Sequence, residues 1–258
     1  MIPRPHITSW SNVVGWPTQD QVEQDLVLSR LIVEIASDDY LGKELVFRGG
    51  TCLHKLHVKP GLRYSEDLDY VRASEGGIKQ LTVALGNIGE RVGMDVNTRI
   101  NIFPKIYLRA PLESGNGMMR IKIEINTHER LPAQPLAHVP FAVESSWFTG
   151  LAAVQTFSLP ELFATKLRAL YQRSKGRDLF DLWLGLERLG VEPEHIAKCF
   201  SPYQPASYSR ELAAQNLRAK LGNANFREDL SRLVAVWPPD YDLDSAAELL
   251  LRRLFTRI

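Results

Sequence analysis

Asp67 and Asp69, in Arg63-Tyr64-Ser65-Glu66-Asp67-Leu68-Asp69, are the residues of this chain best suited to chemistry. On a strand, positions i and i+2 share a face, so both carboxylates point one way while Leu68 turns towards the core. Two such carboxylates repel each other unless a cation joins them. Two Mg²⁺ ions roughly 3.5–4 Å apart would relieve that repulsion and bind a nucleotide's phosphates, the arrangement used in phosphoryl transfer. Just upstream, Leu45-Val46-Phe47 reads as an apolar strand ending in Gly49-Gly50, a pair that opens a short helix. Glycines without Cβ atoms and the free N–H groups of a helix start suit a bound phosphate. Taken singly, a Gly pair is also an ordinary turn and Asp-x-Asp a solvated strand end.

A chain of 258 residues can bury a full core in one large or two small domains. Its 45% hydrophobic and 24% charged residues are those of a globular protein. No apolar run approaches the ~18–20 residues that span a bilayer. Pro3, Arg4, Pro5 and His6 give the N-terminus no signal-peptide pattern, so the expected location is the cytoplasm, with no membrane partner. Cys52 and Cys199 are too few and too distant for a disulfide framework or a cysteine zinc site, which fits a reducing compartment. A net charge of +1 draws no polyanion to the molecule as a whole, so any such attraction must be local. His54, Lys55, His57, Lys59 and Arg63 form one basic run, suited to a solvated helix face or to phosphate and RNA contact.

The elements that must position these groups follow from periodicity. Residues 1–17 read as an irregular arm. Thr18 with Gln21 makes a capping box for a helix to about Ser37 carrying Val22, Leu26, Ile32, Val33 and Ile35. From 77 to about 91 an amphipathic helix (Ile78, Leu81, Leu85, Ile88) forms the crossover back to the sheet. Ile106, Leu108 and Ala110 then alternate with Lys105, Tyr107 and Arg109. After Gly115-Asn116-Gly117, Ile121, Ile123 and Ile125 alternate with Arg120, Lys122 and Glu124, which predicts a hairpin with one buried and one polar face. If this second strand lies beside the Asp67/Asp69 strand, Glu124 is a third metal carboxylate; otherwise it is a charge on a wet face. From 132 to 157, with Pro132, Pro135 and Pro140, the chain reads as a connection holding one short strand, and a domain boundary.

Beyond it the pattern is helical. Ser158, Pro160 and Glu161 open a helix with the stripe Leu162, Phe163, Leu167 and Leu170. Lys166 falls inside that stripe, either as a functional cation or as a lysine that snorkels to its edge. After Gly176, the helix from about 177 to 189 is apolar around most of its circumference, so Asp178 and Asp181 need partners or a cleft. Lys175 and Arg177 are the expected partners of Asp178. Further helices are predicted at 193–200, 208–221, 226–236 and 245–255.

Gly49-Gly50-Thr51-x-Leu53 followed by Arg63-x-Ser65-x-Asp67-Leu68-Asp69 resembles the first motif of the AbiEii/AbiGii toxin family, nucleotidyltransferases of the polymerase-β type. Lys122-x-Glu124 is similar to its second motif. Glu161, Ala164, Lys166, Ala169, Asp178, Asp181 and Leu182 match its third, with Lys175 standing where an arginine is expected. The resemblance implies an α/β (α+β) fold: a small mixed sheet in an N-terminal lobe, 1–150, and a mainly helical lobe, 151–258, completing the active-site cleft. It implies transfer of a nucleoside monophosphate from an NTP to an RNA 3′ end, above all the tRNA acceptor stem, with Mg²⁺ as cofactor and pyrophosphate released. It also implies a toxin that blocks translation, with a cognate antitoxin as partner.

In that scheme Asp67, Asp69 and Glu124 hold Mg²⁺. Gly49, Gly50, Thr51, Arg63 and Ser65 bind the nucleotide, Lys166 balances the triphosphate, and Asp181 is the base or orienter for the attacking hydroxyl. Two alternatives stand beside it: nucleotidyl or phosphoryl transfer to a protein or small molecule, and a nucleotide- or partner-binding module without turnover. The intact carboxylates and lysine speak against the module. No Gly-x-x-x-x-Gly-Lys-[Ser/Thr] occurs, which speaks against a P-loop NTPase, and His128-Glu129 lacks the second histidine of a zinc protease.

Overall fold

The computed structural model describes Ile2–Ile258, and the chain divides into two compact units. The first runs to Leu131 and resumes at Leu136–Thr156; the second takes Pro132–Pro135 and Phe157–Ile258.

The first unit opens with α1 (Arg4–Val14), α2 (Gln19–Ser37) and α3 (Leu41–Glu44), followed by β1 (Leu45–Arg48) and α4 (Gly49–Cys52), which continues as a π-helical turn, Leu53–His57. Then come β2 (Asp67–Arg72), α5 (Lys79–Arg91), β3 (Asp95–Ile100), β4 (Pro104–Pro111), β5 (Met118–Asn126), β6 (Ala137–Glu144) and β7 (Thr149–Thr156). The strands form one mixed sheet in the order β3-β4-β5-β2-β1-β7-β6. α5 carries the chain away from β2, and β5 returns parallel to it, while β1–β2, β3–β4, β4–β5 and β6–β7 pair antiparallel. Ile106, Leu108, Ile121, Ile123 and Leu68 are fully buried on one face, where α2 and α5 pack. Each such side chain contributes roughly 1.5–3 kcal/mol of burial, which sets the register and sends every alternate residue to the polar face.

Two expectations on the first unit need correction. Residues 1–17 contain a real helix: Pro5 lies in its first turn, where the missing N–H would have no intrahelical partner, and Ile7 and Trp10 are buried where α1 packs on α2. The 132–157 connection contains two eight-residue strands, not one short one. Pro140 is tolerated because β6 is an edge of the sheet, where a missing N–H leaves no central ladder bond unmade. β3 is an additional strand; polar and exposed along most of its length, it shows no alternation to read.

The second unit is helical: α6 (Leu159–Gln172), α7 (Gly176–Glu187), α8 (Pro193–Phe200), a 3₁₀ turn at Ser201–Tyr203, α9 (Arg210–Leu221), α10 (Ala224–Arg227), α11 (Leu243–Arg253) and a 3₁₀ turn at Phe255–Arg257. The predicted helix at 226–236 is largely absent. Phe226, Leu230 and Val234 are buried at helical spacing, but the backbone from Glu228 onward closes as successive turns. The N-terminus of α6 also differs from a capping box, since Ser158 caps nothing with its side chain. Glu161 is fully buried and accepts instead from the N–H groups of Ala133 (2.6 Å) and Gln134 (3.1 Å) and from the Tyr203 hydroxyl (2.5 Å). It therefore ties 132–135 into this unit. Among the described residues no helix is long and apolar enough to cross a membrane.

Candidate active site

The glycine pair is dictated by close approach as much as by turning. Gly49 has φ +85°, a left-handed conformation, and a Cβ there would stand 2.5 Å from Asp69 Oδ2. A Cβ on Gly50 would collide with the guanidinium of Arg63, itself only 2% exposed. The pair thus admits a carboxylate from β2 and a buried arginine from the loop before it. Thr51 continues the same logic. Its hydroxyl donates to the Asp67 carbonyl (2.5 Å) and is hydrogen-bonded to Ser65 Oγ (2.8 Å), pinning the start of β2 to α4. Thr51, Arg63 and Ser65 also line a cavity of about 290 Å³ together with Trp10, Trp16 and Lys55. Its inner wall is an ion pair, Lys55 Nζ to buried Asp25 at 2.7 Å, to which Trp10 and Trp16 also donate (2.9 and 2.8 Å).

The polar face of β2 meets that of β5 in parallel register, Asp67 opposite Lys122 and Asp69 opposite Glu124. The third carboxylate therefore lies beside the pair. Lys122 is the residue whose part was not foreseen: its Nζ bridges Asp67 Oδ2 (3.0 Å) and Glu124 Oε2 (3.1 Å). Burial alone would pull its pKa down, but the hydrogen bonds and charges of these two carboxylates outweigh that and raise it. Lys105 approaches Glu124 as well, at 3.5 Å. The signal was present in the alternation, which puts Lys122 on the same face as Glu124.

Asp69 is the strained member of the group. Burial pushes its pKa above the ordinary carboxylate range; Arg48 and Lys122 oppose this, and Asp67 and Glu124 reinforce it. Arg48 is itself engaged with Glu129 at 3.0 Å. All three carboxylates are hard oxygen donors of the kind that Mg²⁺ takes, and a destabilised Asp69 anion calls for a further cation. As the side chains stand, no three acidic, histidine or cysteine groups among the described residues converge at metal-binding distance. The Lys122 ammonium lies between Asp67 and Glu124 and offsets part of their charge, so an ion at the same carboxylates would compete with it.

The second unit places Lys166 and Asp181 together. Lys166, on α6, is 6% exposed; its Nζ lies 2.7 Å from Asp181 and 3.5 Å from Asp178, both fully buried on α7. Its position inside the apolar stripe thus ends in two carboxylates, not in solvent. The expected partners of Asp178 are corrected: Arg173 holds it with two hydrogen bonds, Nε to Oδ2 at 2.7 Å and Nη2 to Oδ1 at 2.8 Å. Lys175 and Arg177 reach Asp229 instead, at 3.3 and 3.6 Å. Arg173 lies in the extended residue that ends α6, so its side chain folds back on the α7 N-terminus, whereas Lys175 and Arg177 diverge from it. Lys220 donates to the carbonyls of Leu170 and Tyr171 at the end of α6, and burial lowers its pKa to about 8 against the pull of Asp178.

A profile of the family described as nucleotidyl transferase AbiEii toxin, type IV toxin–antitoxin system, matches residues 30–249. MenT4, a nucleotidyltransferase toxin of Mycobacterium tuberculosis H37Rv, superposes with a TM-score of 0.62 at 16% identity, over 100% of this chain and 91% of its own. JHP933 of Helicobacter pylori superposes with a TM-score of 0.52 at 18% identity, over 92% of this chain and 90% of its own. At these identities the two structures show the fold. No curated protein matches the sequence.

Proposed function

The chain belongs to the AbiEii family of nucleotidyltransferase toxins of type IV toxin–antitoxin systems, and from that premise we propose that it transfers a nucleoside monophosphate from an NTP to an RNA 3′ hydroxyl. The tRNA acceptor stem is the acceptor that best accounts for a toxin, since blocking it stops translation in the cytoplasm. The observation that supports the reading is the register of β2 with β5, which sets Asp69 opposite Glu124 and Asp67 opposite Lys122, with Lys122 bridging Asp67 and Glu124.

Asp67, Asp69 and Glu124 would hold Mg²⁺, two ions in this reading, which supplies positive charge to the triphosphate. Gly49 and Gly50 offer backbone N–H groups to its phosphates. Ser65 and Arg63 act from the loop before β2, and Thr51 acts by holding that loop. Lys166 balances developing charge on the pyrophosphate, and Asp181 accepts the proton of the acceptor hydroxyl as its oxygen bonds to the α-phosphorus. The bond from that phosphorus to the bridging oxygen breaks, and pyrophosphate leaves with the electron pair. Membership of a type IV system implies a cognate antitoxin.

Incubation with each α-labelled NTP, Mg²⁺ and total RNA tests the reading. Label in RNA, lost in Asp67→Asn, is the expected result. Label in protein or in a small molecule only would reassign the acceptor, and no label with any NTP would overturn the transfer.

A further inference from the structure

The sheet face that bears the carboxylates continues across β4 and β3, and the reaction described above does not use its far part. Register places the side chains in three rows: Asp69, Glu124, Lys105, Arg99; Asp67, Lys122, Tyr107, Asn97; and Arg120, Arg109, Asp95. The charge balance therefore changes along the sheet: β2 offers Asp67 and Asp69, whereas the outer strands set Arg120, Lys122, Lys105, Arg109 and Arg99 against Glu124 and Asp95. At ~4.8 Å per strand the basic far edge lies roughly 14 Å from Asp69. Arg99, Arg109 and Arg120 are exposed, and among the described residues none of the three is ion-paired to a carboxylate. This sets them apart from Arg48, Arg72 and Arg173, each held by an acid. Two of them are also pre-positioned. The Arg120 guanidinium lies over the Tyr107 ring at 4.5 Å and that of Arg99 at 5.6 Å, which keeps their planar forks spread on the face.

We propose that this face, built of Arg99, Arg109, Arg120 and Tyr107, is the docking surface for the acceptor nucleic-acid strand. Phosphates lie on the arginines, whose forks match phosphate oxygens, and a base stacks on the guanidinium–tyrosine layer, so that the strand's end is led towards the carboxylates. The inference rests on the RNA acceptor proposed above. An acidic polypeptide would meet the same charges but has no bases to stack on that layer.

The test is fluorescence anisotropy of a short labelled RNA with the full chain, alongside transfer assays on the same RNA. Arg109→Glu/Arg120→Glu is expected to weaken binding tenfold or more and to lower the salt slope by about 0.7 per arginine. Melting temperature and Mg²⁺–NTP binding should be unchanged. Tyr107→Leu should weaken binding with the salt slope intact. The charge-matched control Arg4→Glu/Lys79→Glu, on exposed residues away from this face, should bind as wild type. The proposal is overturned if wild type binds no RNA, if the arginine variant binds as wild type, if the control loses as much, or if polyglutamate displaces RNA as well as unlabelled RNA does. Binding lost in the variant while wild-type protein labels no RNA would sink the transfer reading alone. Transfer to RNA with an unaltered KM in the variant would sink the docking surface alone.

Discussion

Two clusters of charge in this molecule are built on opposite plans. On the sheet, Lys122 bridges Asp67 and Glu124, Lys105 approaches Glu124, and Asp69 lies deeper beside them; the bridged part is open, with the side chains of Asp67, Lys122 and Glu124 39%, 26% and 25% exposed. In the second unit two carboxylates meet two cations, and Asp178 and Asp181 are wholly buried, with Lys166 at 8%. A solvent-open cluster bridged by a lysine can exchange that ammonium for another cation. A closed, balanced cluster holds its charges in place before any ligand arrives, and its members can divide between supporting the fold and acting on substrate. The difference says which charges meet a ligand by exchange and which must be held in place beforehand.

The largest expected effect is on the open cluster. Asp67→Asn should lower the transfer rate by about 10³-fold or more, the several kcal/mol of charge stabilisation that a bound cation supplies. The fold should be intact, because the change also removes a like-charge contact with Asp69. Single-turnover kinetics at saturating Mg²⁺ check this, and a near-wild-type rate would mean the sheet acids do not hold the ion.

Within the closed cluster the two aspartates should separate. Asp181→Asn should cut the rate by about 10²–10⁴ with NTP affinity nearly unchanged, as removal of a general base does. Asp178→Asn should instead lower the melting temperature, by less than the ~3–5 kcal/mol of a fully buried broken pair, because Arg173 is half-exposed and can return to water. A stable, inactive Asp178→Asn with an unstable Asp181→Asn would exchange the two roles. Next in size, Lys166→Met keeps the apolar stem and should fold, losing NTP affinity or rate tenfold or more; equal affinity and rate would make Lys166 a structural cation.

These contrasts were unevenly legible in the sequence. Alternation placed Asp67, Asp69 and Glu124 on polar strand faces, and the apolar spacing in α2, α5 and α7 was strong enough to read their extents. The parallel neighbour of β2 was only conditional, since adjacency across a helical crossover leaves no local trace. β6 was obscured by a proline that only an edge strand permits, and β3 by an edge that needs no apolar alternation. Charge partners were least legible. Sequence proximity favoured Lys175 and Arg177 for Asp178, yet chain direction at the α6–α7 junction turned Arg173 towards it and the other two towards Asp229.

The smallest expected effect is on pH dependence in the closed unit. Burial lowers the Lys220 pKa to about 8, so the folded state binds fewer protons than the unfolded one from about that pH up to the ordinary lysine range. Stability should therefore rise with pH across that window relative to Lys220→Met, in which the contribution is absent. Parallel pH–stability curves for the two proteins would contradict this.

Divalent-ion binding separates the two clusters most directly. Titrating Mn²⁺ by electron paramagnetic resonance, in the presence of an unreactive NTP analogue, reads the ion without reference to turnover. The expected result is saturable binding to wild type, weakened tenfold or more in Asp69→Asn, strengthened in Lys122→Met, where the competing ammonium is gone, and unchanged in Asp178→Asn. If Asp69→Asn binds Mn²⁺ as tightly as wild type, the open cluster is not the ion's site.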